Sequence, residues 1–222
     1  MFSPTGDLVA AARARGTGVG AFNVITVEHA EAIVTGAEEA DLPVILQISE
    51  NAVRFHHGRL APIAAAARRV AEQARVPVAL HLDHVEDDDL LDRAAANGFG
   101  SVMYDASRRG YDDNVAATSA AVRRCHAQGL DHELIARLRA AVPVPLVLHG
   151  SSGVPDEELT LAVRGGLAKI NIGTALNTAF TAAVREALGA DPAMVDPRQY
   201  LKPARSAMAT SVAHFLRLLA SR

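Results

Sequence analysis

VPLVLHGSSGVPDEELTLAVRGGLAKINIGT, residues 144–174, holds one complete unit of parallel β structure. VPLVLHG (144–150) is an apolar run of strand length. SSGVPDEELTLAVRGG supplies a turn and a helix that Pro155 opens, and LAKINIG (167–173) is a second strand leading into the helix TALNTAFTAAVREALG. Strands apolar on both faces are those that helices cover on the outside of a parallel sheet. The same unit recurs at GVGAFNV (18–24), LPVILQIS (42–49), VPVALHLDH (76–84) and FGSVMYD (99–105). An alanine-rich helical segment follows each, after a loop in the case of LPVILQIS, and DPRQYLKPARSAMATSVAHFLRLLASR closes the chain as one or two helices. Repeated strand–helix units with short links predict a doubly wound sheet or a (β/α)8 TIM barrel.

The alternation fails once. The helix ending HAQG at 129 runs into a second helix, LDHELIARLRAAV, with no strand between them. Parallel strands need a crossover each way, so two successive helices mean that strand units are absent. Six strands stand where a barrel needs eight. The expectation is a single domain over 1–222 whose fifth and sixth strand units are missing, with an apparent gap or deletion near 129–131.

Half of the residues are apolar, enough for a full core in one domain of this size. The 22 basic and 25 acidic residues nearly balance, so no basic excess suits a nucleic-acid partner. No apolar run is long enough for a membrane span, and the N-terminus lacks a signal-peptide core, so a cytoplasmic protein without membrane partners is expected. Cys125 is the single cysteine, which excludes an internal disulfide; placed mid-helix in VRRCHAQG, it reads as an inert packed thiol.

Every strand ends in polar groups: Asn23, Ser49, Asp83 with His84, Asp105, His149, and Asn171 with Thr174. In a parallel α/β fold these carboxyl ends share one rim, where the active site is built. Within HLDHVEDDD (81–89), period two puts His81 and Asp83 on one face, while His84 starts the departing loop. The acids Glu86 to Asp89 read as ordinary helix-start residues. His149 is followed by Gly150, Ser151, Ser152 and Gly153, whose backbone N–H groups can approach an anion. Asn171, Ile172, Gly173 and Thr174 form the next turn, with Thr174 positioned to cap its helix. Two adjacent Gly/Ser/Thr turns, last in the order, are where barrels bind phosphate. Two imidazoles, a carboxylate and a phosphate cradle on one rim suit a Zn²⁺ Lewis acid with carboxylate proton transfer. The implied chemistry is carbon–carbon cleavage or enolisation of a phosphorylated ketose. Lys169 shares strand parity with Asn171 and offers a Schiff-base alternative; a buried lysine paired with a rim carboxylate is the plainer account.

GVGAFNV, PVILQISE, PVALHLDH, GFGSVMYDAS, PLVLHGSSGVPDEEL, GLAKINIGT and DPRQYLKPA together resemble the class II, metal-dependent fructose-bisphosphate aldolase family, including its tagatose-bisphosphate branch. The resemblance runs through nearly the whole chain and implies a (β/α)8 barrel. It implies that Asp83 is the catalytic acid/base and that His84 and His149 are two of three zinc ligands. It further implies that Gly150, Ser151, Ser152, Asn171, Ile172, Gly173 and Thr174 bind substrate and its phosphate, often with a monovalent cation such as Na⁺. Asn23, Ser49 and Asp105 fall at motif positions with supporting roles. The family's third ligand lies in a segment that nothing in 125–143 matches, and His126 and His132 sit on predicted helices. The implied reaction is cleavage of fructose or tagatose 1,6-bisphosphate to dihydroxyacetone phosphate and glyceraldehyde 3-phosphate, and its reversal, by a homodimer or homotetramer. A truncated barrel that binds sugar phosphates without turnover is the non-catalytic alternative. Arg54 is a candidate for the distal phosphate, while His56 and His57 beside it read as an exposed polar loop.

Overall fold

Six short strands, each apolar over most of its length, form one parallel sheet in a computed structural model that describes residues 1–108, 110, 113 and 145–221. The strands are β1 (Val19–Asn23), β2 (Val44–Ser49), β3 (Val78–Val85), β4 (Ser101–Tyr104), β5 (Leu146–Leu148) and β6 (Leu167–Ile172). Their order across the sheet is β4-β3-β2-β1-β6-β5, and every pairing is parallel. Among the described residues β4 and β5 each pair on one side only. Cys125, His126, His132 and the interruption near 129–131 lie outside the described residues.

The helices are α1 (Thr5–Arg15), α2 (Val27–Ala40), α3 (Glu50–Phe55), α4 (Leu60–Gln73), α5 (Asp88–Arg93), α6 (Asp156–Arg164), α7 (Thr174–Ala190) and α8 (Pro197–Ala220). Their ends follow local chemistry. Gly16 takes φ 66° and returns its N–H to the carbonyls of Ala12 and Arg13, which stops α1. Asp196 caps α8 through the N–H of Arg198, with Pro197 in the first turn, so the closing segment is one helix. None of the described helices is long and apolar enough to cross a membrane.

Alternation along the strands divides the sheet into two faces. Phe22, Leu46, Leu80, Leu82, Ile170 and Ile172 point outward into the main core, with Ile33, Leu60, Met208, Val212 and Leu216 from the helices. There α2 packs so closely on α8 that a Cβ on Gly36 would lie 2.4 Å from the carbonyl oxygen of Ala209. The other face carries small residues toward the amino ends of the strands. Leu8, Val9 and Ala12 of α1 close over Val19, Ala21, Ile45 and Ala79 there. Further along the same parity the side chains turn polar, and the register aligns them: Asn23 beside Gln47, Gln47 beside His81, Ser49 beside Asp83. One face of the sheet is thus an apolar plug at one end and a polar site at the other.

Two details depart from the sequence expectations. The loop expected after Ser49 contains a short helix, α3, because the Ser49 hydroxyl accepts the N–H of Ala52 and caps it. His84 does not leave the sheet: β3 continues to Val85, with an irregular register against β4 between Leu82 and Val85. At this irregularity His84 takes φ 50°, a left-handed conformation uncommon for a side-chain-bearing residue and frequent at functional sites.

Candidate active site

Asp83, His84 and His149 converge at the carboxyl end of the sheet, with their possible ligand atoms all within 4.8 Å of one another. His84 comes from β3, while His149 follows β5, four strand spacings away in the sheet order. Strands lie about 4.8 Å apart, so a flat sheet would hold these positions roughly 19 Å apart. The imidazole centroids are 5.0 Å apart and nearly perpendicular. The sheet therefore curls, and both rings point into the concavity.

Each member is held by neighbours. His84 Nδ1 lies 3.0 Å from Asp105 Oδ2, and its Nε2 lies 3.7 Å from Asp83 Oδ2. Asp105 also accepts the hydroxyl (2.6 Å) and N–H (3.0 Å) of Ser107; those bonds, with His84, lower its carboxyl to about 2. An ionised carboxylate only accepts, so it fixes the proton of His84 on Nδ1 and leaves a lone pair on Nε2. Asp83 is 2 % exposed. Burial acts to raise its carboxyl, but the contact with His81 and the charges of His81, Lys169 and His84 outweigh it and hold the group below its usual value. Its Oδ1 has no hydrogen-bond partner; His81 Nε2, 3.5 Å away, is equally unpartnered. Burial, then the Lys169 charge, pushes His81 down to about 4, so its imidazole is neutral at pH 7, held by Ser101 Oγ at 2.7 Å.

A buried carboxylate with a free oxygen beside two neutral-capable imidazoles suits a divalent metal. His84 and His149 would supply nitrogen ligands, with Asp83 close enough to ligate or to exchange a proton. Among the described residues no third imidazole joins them.

A cleft of about 340 Å³ opens beside this group, lined on its far side by Gly150, Ser152, Gly173, Thr174 and Asn177. Gly150 has φ 73°, which a glycine adopts without strain. The Ser152 hydroxyl accepts the N–H of Ala175 and so ties the two glycine-bearing turns together. Ser151 is buried and donates to the carbonyl of Asn171, a role inside the wall. The Ile172 side chain is wholly in the core. Thr174 does not cap α7: Gly173 holds the cap position and Thr174 is the first helical residue. Thr174 is exposed and lines the cleft at the start of a 17-residue helix, where the helix dipole favours an anion.

Lys169 is buried and its ammonium donates to Gln47 Oε1 at 3.0 Å and Asn171 Oδ1 at 2.6 Å. Its partners are two amides, where a carboxylate was the expectation. Burial lowers it to about 8. Gln47 donates in turn to Asn23 Oδ1 at 2.6 Å, and Asn171 Nδ2 lies 3.1 Å from His149 Nδ1. Glu50 was not singled out from the sequence. It is 5 % exposed, and its carboxylate accepts the N–H groups of Glu86 (2.6 Å) and Asp87 (3.1 Å), anchoring the segment just past His84. Its acidic position after PVILQIS was the only signal available. Arg54 bonds to this same Glu50, and His56 Nε2 lies 2.7 Å from the carbonyl of Ile25, outside the cleft. Asp87 and the acids after it begin α5, as expected, with Asp87 Oδ1 accepting the N–H of Asp89.

The family model described as fructose-bisphosphate aldolase class-II matches in two stretches, residues 3–134 and 127–222. A fructose-bisphosphate aldolase of Thermus caldophilus is 33% identical over 298 aligned positions, covering 97% of each chain; one of Geobacillus stearothermophilus is 32% identical over 254, covering 87% of this chain and 88% of the relative. Among solved structures, the YdjI aldolase of Escherichia coli K12 superposes with a TM-score of 0.85 at 26% identity, over 99% of this chain and 97% of the other. A sequence match of this extent, with a curled α/β sheet bearing Asp83, His84 and His149 on its rim, places the chain in the class II fructose-bisphosphate aldolase family and makes it a carbon–carbon lyase with a TIM-barrel-like fold.

Proposed function

We propose that the protein is a zinc-dependent aldolase that cleaves a ketose 1,6-bisphosphate, fructose or tagatose, to dihydroxyacetone phosphate and glyceraldehyde 3-phosphate, and runs the reverse condensation. The convergence of Asp83, His84 and His149 on a cleft whose other wall is two glycine-bearing turns carries this reading. His84 and His149 would hold the ion, which when bound polarises the ketose carbonyl as a Lewis acid. Asp83, buried and held ionised, accepts the proton of the C4 hydroxyl in cleavage and returns it in condensation. Gly150, Ser152, Gly173 and Thr174 bind the phosphate of the dihydroxyacetone half against the start of α7, with room for a monovalent cation. Asn171 hydrogen-bonds substrate, and Ser49 and Asp105 brace the rim.

The family match changes stretch at 127–134, and the alignment with the Thermus relative has more positions than this chain has residues. We infer from this that the fifth and sixth strand units of the family are missing from this sequence. A cytoplasmic homodimer or homotetramer is the expected form.

The test is cleavage of each bisphosphate, read as triose phosphate release, in zinc-replete protein, after chelation, and after zinc is restored. Activity lost to chelator and regained with zinc is expected. Chelator-insensitive cleavage abolished by borohydride with substrate would move the chemistry to Lys169. Tight phosphate binding without turnover of either sugar would sink the catalytic reading.

A further inference from the structure

Amide side chains can be turned end for end with little change of shape, so what they offer a ligand depends on what pins them. Four polar side chains of the concave face form a branched chain of hydrogen bonds with a single origin. Lys169, at the level of Val19 on the neighbouring strand, reaches past the small Ala21 to Gln47 on β2 and upward to Asn171 on its own strand. Its ammonium has three N–H donors and no acceptor, so only oxygens can face it. Gln47 must present Oε1 to it and is left with Nε2 pointing away, where it donates to Asn23 Oδ1. Asn23 is then left with Nδ2 pointing away, and that nitrogen lies against Gly173: a Cβ there would be only 2.9 Å from it. On the other branch, Asn171 presents Oδ1 to Lys169, and its Nδ2 lies against the His149 ring, 3.1 Å from Nδ1 and 3.5 Å from Nε2.

We propose that Lys169 is a positioning residue that sets the direction of three amides, so that the cleft is lined by N–H donors at its phosphate end. Lys169 acts without touching the substrate. The donor from Asn23 falls at Gly173, the residue before α7, where the helix start already favours an anion. Reversing one amide in the series would put a carbonyl oxygen where a phosphate oxygen belongs. The consequence for substrate rests on the phosphate site of the aldolase reading; the direction of the amides does not.

Gln47→Glu is the discriminating variant. The introduced carboxylate still accepts from Lys169 but cannot donate to Asn23, so Asn23 reverses to donate to it and turns its oxygen toward Gly173. In the full-length protein, nuclear Overhauser contacts of the Asn23 side-chain NH₂ to Gly173 are expected in the wild type and absent in the variant. Affinity for inorganic phosphate, and KM for the bisphosphate, should weaken about tenfold with kcat within about threefold, the cost of one donor replaced by an acceptor. In an Asn23→Ala background the same Gln47→Glu change should cost less than about twofold, because the two act in series. An equal penalty in both backgrounds would mean that the added charge acts directly and would overturn the proposal, as would an unchanged Asn23 NH₂ contact. Lys169→Met removes the origin of both branches, and the contact of the Asn23 NH₂ to Gly173 should then weaken in the folded variant. An Asn23 NH₂ contact unchanged in a folded Lys169→Met protein would overturn the proposal. If the wild type neither cleaves a bisphosphate nor binds phosphate, the aldolase reading fails while the amide contacts still decide this one.

Discussion

Replacing Asp105 with asparagine changes one atom and should move a proton on His84. Asp105 Oδ1 receives both bonds from Ser107, and Oδ2 receives Nδ1–H of His84 at 3.0 Å. Asparagine would keep its oxygen toward Ser107, which offers two donors, and so would turn its NH₂ toward His84. Two donors cannot face each other, so the imidazole proton moves to Nε2, the atom that otherwise offers its lone pair to the cleft. Loss of such a carboxylate behind a metal-binding histidine typically weakens metal affinity about 10–100-fold, or about 1.4–2.7 kcal/mol. The assay is zinc titration of the apoprotein against a chromophoric chelator, for wild type and Asp105→Asn, with thermal unfolding of both apoproteins as the control for folding. A zinc affinity within about twofold of wild type would refute the tautomer argument, because the substitution leaves shape and volume almost unchanged.

Three further outcomes follow from the packing and the buried charges. Gly36→Ala would drive a methyl into the Ala209 carbonyl and should cost about 1–3 kcal/mol in urea unfolding, whereas Gly58→Ala, in open space at φ 74°, should cost less. Glu50→Ala leaves two N–H groups beyond His84 without their acceptor; a loss of about 2–4 kcal/mol is expected, with faster amide exchange at Glu86 and Asp87 and little change elsewhere. His81 titrates near 4 when folded and near 6.5 when unfolded, so the unfolded chain binds the extra proton between those values. Stability should therefore fall as pH drops from about 6.5 to about 4, by roughly 3 kcal/mol in all, and His81→Gln should flatten that slope; an identical slope in the variant would count against a buried neutral imidazole.

Strand positions were legible because a parallel sheet buries both faces, which leaves continuous apolar runs such as VPVAL and PLVL that few other structures need. The rim was legible for the complementary reason: polar residues closing each run have no place in that core. Asp83, His84 and His149 were thus recognisable one at a time, and the structure brings them together. What stayed hidden depends on contacts between residues far apart in the chain or on backbone angles. The left-handed turn at His84 comes from a register shift against β4, which no residue type at 84 announces. Glu50 looked like the start of a loop because its partners, the N–H groups of residues 86 and 87, carry no side-chain signature. Lys169 was expected against a carboxylate, the commonest partner for a buried ammonium, yet β6, β1 and β2 place two amides within its reach instead. Thr174 looked like a cap from composition, but its helix begins at that residue.

The curl of the sheet gives the pair of imidazoles a mechanical meaning. His84 and His149 stand toward opposite ends of the strand order, so an ion shared between them works as a drawstring, and its tightening is the same event as the bending of the five strands from β3 to β5. Ion affinity would then be a gauge of how tightly the sheet curls. A substitution in the outer helices that lets the sheet relax, far from any imidazole, would then loosen a bound ion as surely as removing a ligand, and adding the ion would pull such a relaxed sheet back into its arc.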